Sequence, residues 1–470
     1  MDLGQIRLDI DAIDDELTGL FIKRMDLSLK VAEYKRENNL PVLNAERETD
    51  ILRRMSDKTG PGLAPYAKDL FNCLFSLSRA YQSSFLYKYG LIGGNLSYSY
   101  SKAIHEMLGD YSYELFSLDA GQFENFMRRG DFSGLNITIP YKKAVMPFCD
   151  EISGIAADIG AVNTVYKKNG KLIGTNTDYD GFLYMLRRSG ISLKGKKVLI
   201  LGAGGASLTV QRCARDEGAA KISVARREHD FSADFDAEII INATPAGTFP
   251  GNGDKIIDLS DFTKCEGALD LIYNPLRTDL LLRAGEYGVP HSNGLPMLVA
   301  QATAAAGLFT GKDHTGQNEK ILDKLTNSVQ NIVFVGMPGA GKTTIGKKVA
   351  GALGRDFIDM DEEISKRAGM PVPDIFEKYG ETRFRDMESE IAKEYGKQHG
   401  LVIATGGGAV LRKENMDAIR QNAVVFFIER QVESLETAGR PLSRDTETLK
   451  KMYEERLPLY KKYCDYRVQL

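Results

Sequence analysis

The stretch FVGMPGAGKTTIG, Phe334 to Gly346, decides the fold of the last part of the chain. An apolar run, NIVFVG, leads into Gly336-Met-Pro-Gly-Ala-Gly341-Lys342-Thr343, and a helical pattern follows. This is the spacing G-x-x-x-x-G-K-[ST] in the strand–loop–helix setting that the motif requires. Backbone N–H groups along Gly339, Ala340, Gly341 and Thr344 would wrap the phosphates. Lys342 would neutralise the β/γ oxygens and Thr343 would offer an oxygen to Mg²⁺. The loop thus predicts an α/β unit holding ATP, and leaves the phosphate acceptor open.

Residues further along narrow the acceptor. FIDMDEEI sets Asp359 and Asp361 two apart, on one face if the segment is a strand end. One carboxylate can help hold the metal while the other takes an alcohol proton. GETRFRDMESE carries Arg383, Arg385 and Glu388, and IATGGGAV puts Gly406, Gly407 and Gly408 directly after an apolar strand. Without a Cβ, those glycines let a ligand approach the backbone. GRPL and RLPLY add Arg440 and Arg456. In this order the residues closely resemble shikimate kinase over nearly all of 331–470. The resemblance implies that Asp361 binds the shikimate hydroxyls and acts as base. It implies that Arg385 and Arg456 clamp the carboxylate beside Gly407 and Gly408, that Asp359 lies on the magnesium side, and that Arg440 closes over the phosphates. The lid ETAGRPLS is shorter than is usual in that family, and YRVQL stands where the family continues into a last helix.

Upstream, VLILGAGGAS reads as a strand, a glycine turn and a helix start. Gly202, Ala203, Gly204, Gly205 and Ala206 fit a dinucleotide turn, with Ser207 in place of the third glycine. The next strand, KISVARR, ends on Arg226 and Arg227 rather than on an acid. Arginine matches a 2′-phosphate, so the expected cofactor is NADP(H). Polar residues surround this segment: Ser97 and Ser99 in NLSYSYS, Thr138 and Lys142 in LNITIPYKK, Asn163 in GAVNT, and Asn176 and Asp178 in TNTDYDG. Tyr273, Gly294 and Gln301 follow downstream. Hydroxyls, amides and one Lys/Asp pair suit a polyhydroxylated substrate whose carbonyl is reduced. The ordered set resembles shikimate dehydrogenase over roughly 88–325. The resemblance makes Lys142 and Asp178 the catalytic pair and Ser97, Ser99, Thr138, Asn163, Asn176, Tyr273 and Gln301 the substrate holders, with Gly294 at the cofactor. Leu96 stands where that family has a histidine, and Tyr100 where it has a proline.

Residues 1 to about 86 show no strand pattern. Ile6, Ile10, Ile13, Leu17, Leu20, Leu27, Val31 and Tyr34 recur at three- and four-residue steps. The periodicity predicts one helix ending at NNLP, a second from a cap at Asn44 to TGPG, and a third from about Pro65 to Tyr89. Three helices in so short a segment make a thin core, which an intertwined homo-oligomer would complete. Arg24 and Lys35 share a face of the first helix, and Ser78 and Gln82 share a face of the last. The segments IRLDIDAIDDEL, KRMDL, VAEYKRENNLPV, ERE and SRAYQ resemble the all-helical chorismate mutases over residues 2–88. That resemblance implies carboxylate binding by Arg24, Lys35 and Arg47, with Lys35 and Gln82 facing the ether oxygen. Glu48 and Ser78 would support the ring side, and Arg7 would reach into a partner chain's site.

The totals bound the rest. A net charge of -3 argues against a nucleic-acid binder. Cys73, Cys149, Cys213, Cys265 and Cys464 form no C-x-x-C, which fits a reducing cytoplasm. No apolar run reaches a membrane span, and the acidic N-terminus is no signal peptide. The expectation is a cytoplasmic multidomain enzyme: an all-α domain over 1–87, a two-lobed α/β dehydrogenase over 88–326 with a Rossmann-type part near 190–290, and an α/β P-loop kinase over 327–470. Its substrates would be chorismate, 3-dehydroshikimate and shikimate, and it would be a homodimer through the helical domain. Rival readings are a helical module that only dimerises or senses aromatic compounds, an NAD-linked catabolic dehydrogenase, and another small-molecule kinase of the same fold.

Overall fold

The computed structural model describes residues 2–37, 43–86, 89–109, 111–226, 230–432, 435 and 446–470. They form two compact units, Met1–Thr177 with Ala302–Gln317, and Asp178–Gln301 with Asn318–Leu470. The division falls inside the middle region expected over 88–326. Its first half shares a unit with the N-terminal helices, and its nucleotide half shares one with the P-loop region.

The first unit opens on α1 (Leu3–Glu37) and α2 (Ala45–Leu86). Asn44 caps α2 as expected, its Oδ1 accepting from Arg47 N at 3.0 Å. The expected end of α1 at NNLP falls on residues 38–41, outside those described. The expected break between the second and third helices is present inside α2 at Gly60, where φ is 72° and the backbone is non-helical. The ion pair of Glu48 with Arg79 at 2.6 Å joins the two segments, and the third helix starts earlier than Pro65. Pro61 resumes the helix directly, since a first-turn position needs no N–H. The apolar stripe of α1 also differs from a buried face: Leu17 and Leu20 are 54% and 62% exposed. The buried seam among these helices holds Ser28, Ala32, Phe75, Ser78 and Gln82.

Next come β1 (Tyr89–Gly93), α3 (Ser101–Leu108), β2 (Tyr113–Ser117), α4 (Ala120–Arg129) and β3 (Gly134–Ile137). β4 (Glu151–Ile152), α5 (Gly154–Ile159), β5 (Thr164–Lys168) and β6 (Lys171–Thr175) complete a sheet of order β2-β1-β3-β5-β6-β4. Asn169 and Gly170 take φ of 52° and 77°, the two left-handed positions of a tight hairpin turn, as their sequence predicts. β5 runs antiparallel to both β3 and β6. The start of β5 therefore lies beside the ends of β3 and β6, which gathers polar side chains at one sheet edge.

The second unit contains α6 (Asp178–Ser189), β7 (Lys197–Leu201), α7 (Gly205–Asp216), β8 (Lys221–Ala225), β9 (Ile239–Asn242) and β10 (Gly267–Asp270). α8 (Asp279–Glu286), β11 (His291–Ser292), α9 (Leu295–Thr310) and α10 (Asn318–Val329) follow, α9 belonging to the first unit from Ala302 onward. The sheet order is β11-β10-β9-β7-β8 and every pairing is parallel. Its central strands KVLIL and IIIN are continuous apolar runs, as a parallel sheet covered on both faces requires.

The P-loop region adds β12 (Asn331–Val335), α11 (Lys342–Leu353), β13 (Phe357–Asp359), α12 (Met360–Ala368), α13 (Val372–Gly396) and β14 (Val402–Ala404). It ends with α14 (Lys413–Arg420), β15 (Ala423–Glu429), α15 (Thr446–Tyr463) and β16 (Tyr466–Gln469). The parallel order is β13-β14-β12-β15-β16. Val333, Val335, Val402, Val425 and Phe427 form its core. No helix among the described residues is long and apolar enough to cross a membrane.

Candidate active sites

A cavity of about 640 Å³ opens at the C-terminal edge of the P-loop sheet, lined by Gly339 to Thr344, Asp359, Asp361, Arg385, Gly406 to Gly408 and Arg456. The tertiary structure thus brings together every candidate for this site that it describes. Arg440 lies outside the described residues. Gly336 has φ of 150°, and a Cβ there would stand 2.6 Å from Ile428 O, so only glycine lets the loop leave β12 beside β15. Lys342 is buried, its Nζ donating to the loop carbonyls of Gly336 and Met337 at 2.9 Å each. Thr343 Oγ1 donates to Asp359 Oδ2 at 2.6 Å. A hydroxyl and a carboxylate already in contact are hard oxygen donors of the kind Mg²⁺ takes alongside phosphate and water.

The expectation that Asp359 and Asp361 share a strand face is corrected. Asp359 ends β13 and caps α12, its Oδ1 accepting from Asp361 N at 3.0 Å, while Asp361 lies in the helix's first turn. A strand-to-helix corner sets both carboxylates on the lining of the cavity.

The glycine triplet is dictated by crowding. A Cβ on Gly406 would stand 2.7 Å from Asp361 Oδ1 and 2.8 Å from Glu388 Oε1, and one on Gly408 only 2.3 Å from Arg385 Nη1. Gly407 O accepts from Arg456 Nη1 at 3.1 Å and from Tyr460 at 2.5 Å. Glu388 is fully buried and holds Arg385 Nη1 at 2.9 Å. Burial raises the Glu388 carboxyl pKa, Arg385 opposes the rise, Asp361 adds to it, and Arg456 lowers it. This carboxylate, three residues beyond Arg385 on α13, orients the Arg385 guanidinium. The i, i+3 spacing was the available signal for that role. Arg430, Phe376 and Phe384 also line the cavity and carry no motif that sequence reasoning could use.

In the nucleotide half, Gly202 has φ of 103° and its N donates to Ala225 O at 2.9 Å, which sets the end of β8 beside the glycine turn. Arg226 is exposed there, while Arg227 lies outside the described residues. Ala203 and Gly204 are exposed at the start of α7, and a Cβ on Gly204 would meet nothing within 4 Å. Ser207, at the third-glycine position, is fully buried and accepts from Gln211 Nε2 at 3.1 Å. A small hydroxyl side chain thus satisfies the helix packing that glycine serves elsewhere. Gly294 lets α9 begin against the loop after β10, since a Cβ there would meet Leu271 O at 2.0 Å. Gly181 does the same between α6 and α9, a Cβ lying 2.6 Å from Met297 O and 3.0 Å from Gln301 Cβ. Asp178, one turn before Gly181, and Gln301 are thereby neighbours, both buried. Tyr273 is part-buried in the loop after β10.

In the first unit, the polar candidates collect at the edge where β1, β3 and β6 end and β5 begins. Ser97 and Ser99 follow β1, with Ser97 Oγ donating to Asn95 Oδ1 at 2.9 Å. Thr138 N donates to Ile92 O at 2.9 Å, and Lys142 O accepts from Val162 N at 2.8 Å. Asn163 Oδ1 accepts from Thr177 N at 2.7 Å. Asn176 is buried, its Nδ2 donating to Ala161 O at 2.8 Å while its Oδ1 has no hydrogen-bond partner among the described residues. A buried amide oxygen left over at the edge is an acceptor prepared for a ligand hydroxyl.

In the helical pair, Arg24 Nη1 donates to Leu74 O at 3.3 Å and also bonds Ser78 Oγ. Lys35 Nζ donates to Gln82 Oε1 at 3.3 Å. Burial lowers the pKa of Lys35, with Glu48 raising it and Arg47 lowering it, so all three groups lie within one field. Glu48 pairs with Arg79 at 2.6 Å, a partner the sequence reading had not assigned. Arg7 and Arg47 are exposed.

Comparison with known proteins matches all three regions. Residues 6–83 match the family model of chorismate mutase type II, residues 91–165 the shikimate dehydrogenase substrate binding domain, and residues 338–469 shikimate kinase. A shikimate dehydrogenase (NADP(+)) of Clostridium perfringens strain SM101 is 36% identical over 265 residues, covering 50% of this chain and 97% of that protein. One of Pelodictyon phaeoclathratiforme is 36% identical over 258 residues, covering 47% and 91%. Among solved structures, shikimate dehydrogenase 1 from Peptoclostridium difficile aligns at 30% identity and TM-score 0.48, covering 51% of this chain and 97% of that one. A chorismate mutase/shikimate 5-dehydrogenase fusion from Clostridium acetobutylicum aligns at 34% and 0.48, covering 51% and 96%.

Proposed function

We infer the working of each site from the membership these relatives establish: the chain belongs to the shikimate dehydrogenase family, and it fuses that enzyme to chorismate mutase and shikimate kinase. The fusion rearranges chorismate to prephenate, reduces 3-dehydroshikimate to shikimate with NADPH, and phosphorylates shikimate with ATP. The second reaction's product is the third reaction's substrate.

At the kinase site, Arg385 and Arg456 hold the shikimate carboxylate, and Asp361 takes the proton of the attacking hydroxyl. Lys342 and the loop N–H groups hold the phosphates, and Thr343 and Asp359 would hold Mg²⁺, which would supply charge neutralisation at the transferring group. Arg440 belongs to the phosphate side. The observation that carries this reading is the crowding of Asp361, Glu388 and Arg385 around a triplet that must be glycine. At the dehydrogenase site, NADPH supplies the hydride while Lys142 and Asp178 govern the proton at the carbonyl oxygen. Ser97, Ser99, Thr138, Asn163, Asn176, Tyr273 and Gln301 orient the substrate. Gly202 to Ala206, Gly294, Arg226 and Arg227 hold the cofactor.

At the mutase site, Arg24, Lys35 and Arg47 bind carboxylates and Gln82 faces the ether oxygen, with Glu48 and Ser78 beside them. A rearrangement without a nucleophile needs only such preorganised charge. The exposed stripe of α1 supports a homodimer in which Arg7 serves the partner's site. The five free cysteines accord with the cytoplasm. The domains we assign are 1–87, 88–326 and 327–470.

Assaying the purified chain for all three reactions, with Arg24→Ala, Lys142→Ala and Asp361→Asn in parallel, tests the assignment. Each variant should lose one activity by about 100-fold or more and keep the other two. An Arg24→Ala chain that forms prephenate at the parent rate would favour a helical module that senses or dimerises only.

A further inference from the structure

The second unit holds a polar interface that neither enzyme's reaction accounts for. The loops after β9 and β10 leave the C-terminal edge of the nucleotide sheet, the edge that carries the glycine turn. The second of these loops, residues 271–278, contains Tyr273. Both loops end on the P-loop region, at the N-terminal edge of its sheet, opposite to its own cavity.

Arg277 is the centre of this contact. Its N donates to Gln421 O at 2.8 Å and its Nε to Arg420 O at 2.9 Å. Its Nη2 bonds Ala423 O, and its Nη1 pairs with Asp465 at 3.1 Å. Leu276 N donates to Asn422 Oδ1 at 2.9 Å, and His399 Nε2 lies 3.0 Å from Asn274 Oδ1. The other loop is held by Lys397 Nζ to Pro250 O at 2.8 Å and Asn252 Nδ2 to Gln421 Oε1 at 2.9 Å. The two loops are tied together by Phe249 N donating to Asn274 O at 3.0 Å. Gln421, Asn422 and Asn274 are all buried, and buried polar groups with satisfied partners specify one geometry.

We propose that the kinase region is a positioning element for the dehydrogenase: its edge around Gln421 to Ala423 holds the loop that presents Tyr273, with Arg277 as the positioning residue. The inference rests on the reading of Tyr273 as part of the dehydrogenase site. In the nucleotide half itself, the loop is tied at its base, where Thr278 Oγ1 donates to Asp270 Oδ2 at 2.6 Å and Ile272 N to Asp270 Oδ1 at 2.9 Å. Its outer turn is held on the near side by Asn293 Nδ2 donating to Leu276 O at 2.9 Å and by Phe249 N, and on the far side by the main-chain carbonyls and side chains of the other enzyme. Misplacing a substrate-positioning group by about 1 Å can cost up to about 100-fold in rate.

The test is made in the full-length chain, with kcat and KM of both reactions measured separately. The kinase-side pair Asn422→Ala with His399→Ala removes the side-chain partners of Leu276 N and Asn274 and leaves every residue of the kinase cavity in place. It should lower dehydrogenase kcat/KM by about ten-fold while kinase kcat/KM stays at the parent value. Arg277→Ala should do the same, and Arg277→Lys should recover part of the loss through its single remaining donor. Unchanged dehydrogenase kinetics in both Arg277→Ala and the pair overturns the proposal, as does an equal fall of both activities, which would mark a merely structural contact. Tyr273→Ala run alongside separates the premises. If it leaves the dehydrogenase unaltered, the site reading and the proposal fall together. If it impairs the dehydrogenase while the interface variants do not, the proposal alone falls.

Discussion

Two residues show how local surroundings decide what chemistry a side chain can do. Gly408 has φ of -105°, ordinary for any residue, so its identity is required by Arg385 rather than by the backbone. Gly408→Ala should keep the fold and displace the guanidinium. We expect the KM for shikimate to rise by about 10- to 100-fold, the cost of a charge-assisted hydrogen bond, with the KM for ATP unchanged. Steady-state kinetics with each substrate varied checks this. Asp270 is fully buried and its pKa is pushed up to about 6 from 3.8, mainly by burial, with Thr278, Ile272 N and Asn242 pulling it down. Between these values the folded state binds the proton that the unfolded state has released, so stability falls as pH rises from about 4 through about 6. The difference amounts to about 3 kcal/mol. Melting midpoints of the parent and Asp270→Asn chains from pH 4 to pH 7.5 should diverge across that window, the variant lacking this fall. Parallel profiles would refute the assignment.

Elements carry function through their ends. α7 begins without a side-chain cap at Gly204, leaving its first N–H groups for a ligand's phosphates. Because a Cβ on Gly204 meets no protein atom and φ there is -81°, Gly204→Ala should leave the melting temperature within about 2 °C. The methyl group would occupy the space that the diphosphate of NADP(H) needs, so the KM for NADPH should rise at least several-fold. An unchanged KM would move the diphosphate elsewhere. α12 also works through its end, its cap Asp359 bonded to Thr343 and its first turn setting Asp361 on the cavity lining. The sequence placed both aspartates correctly as a pair, but by the wrong geometry. The pattern FIDMDEEI does not distinguish a strand's alternation from a strand-to-helix corner until the cap bonds are seen.

Leu17 and Leu20 stand exposed on α1, outside the buried seam of the helices. We expect Leu17→Glu with Leu20→Glu to convert a dimer to a monomer in sedimentation velocity. Chorismate mutase activity should fall, while the dehydrogenase and kinase are retained. If the parent chain is already monomeric, the dimer reading fails, and the substitutions should shift stability by no more than about 0.5 kcal/mol each.

The motifs with a fixed backbone requirement were legible from residues alone. Gly336 to Thr343, Gly202 and the Asn169-Gly170 turn each need particular φ values or the absence of a Cβ, and such needs are local and leave a mark in the sequence. The family resemblances are what singled out Lys142, Asp178, Asp361 and the cationic set of the helices, residues whose types alone mark no site. Tertiary packing decided the rest. Glu388 became the partner that orients Arg385 only through burial. Glu48 meets Arg79 only because the chain turns back at Gly60. Gln421, Asn422 and Arg277 meet although they are far apart in the chain and follow no periodic pattern. Main-chain carbonyls are the chief acceptors in that last contact, and every residue type carries one. No choice of residue along the sequence announces which of them a distant arginine will find.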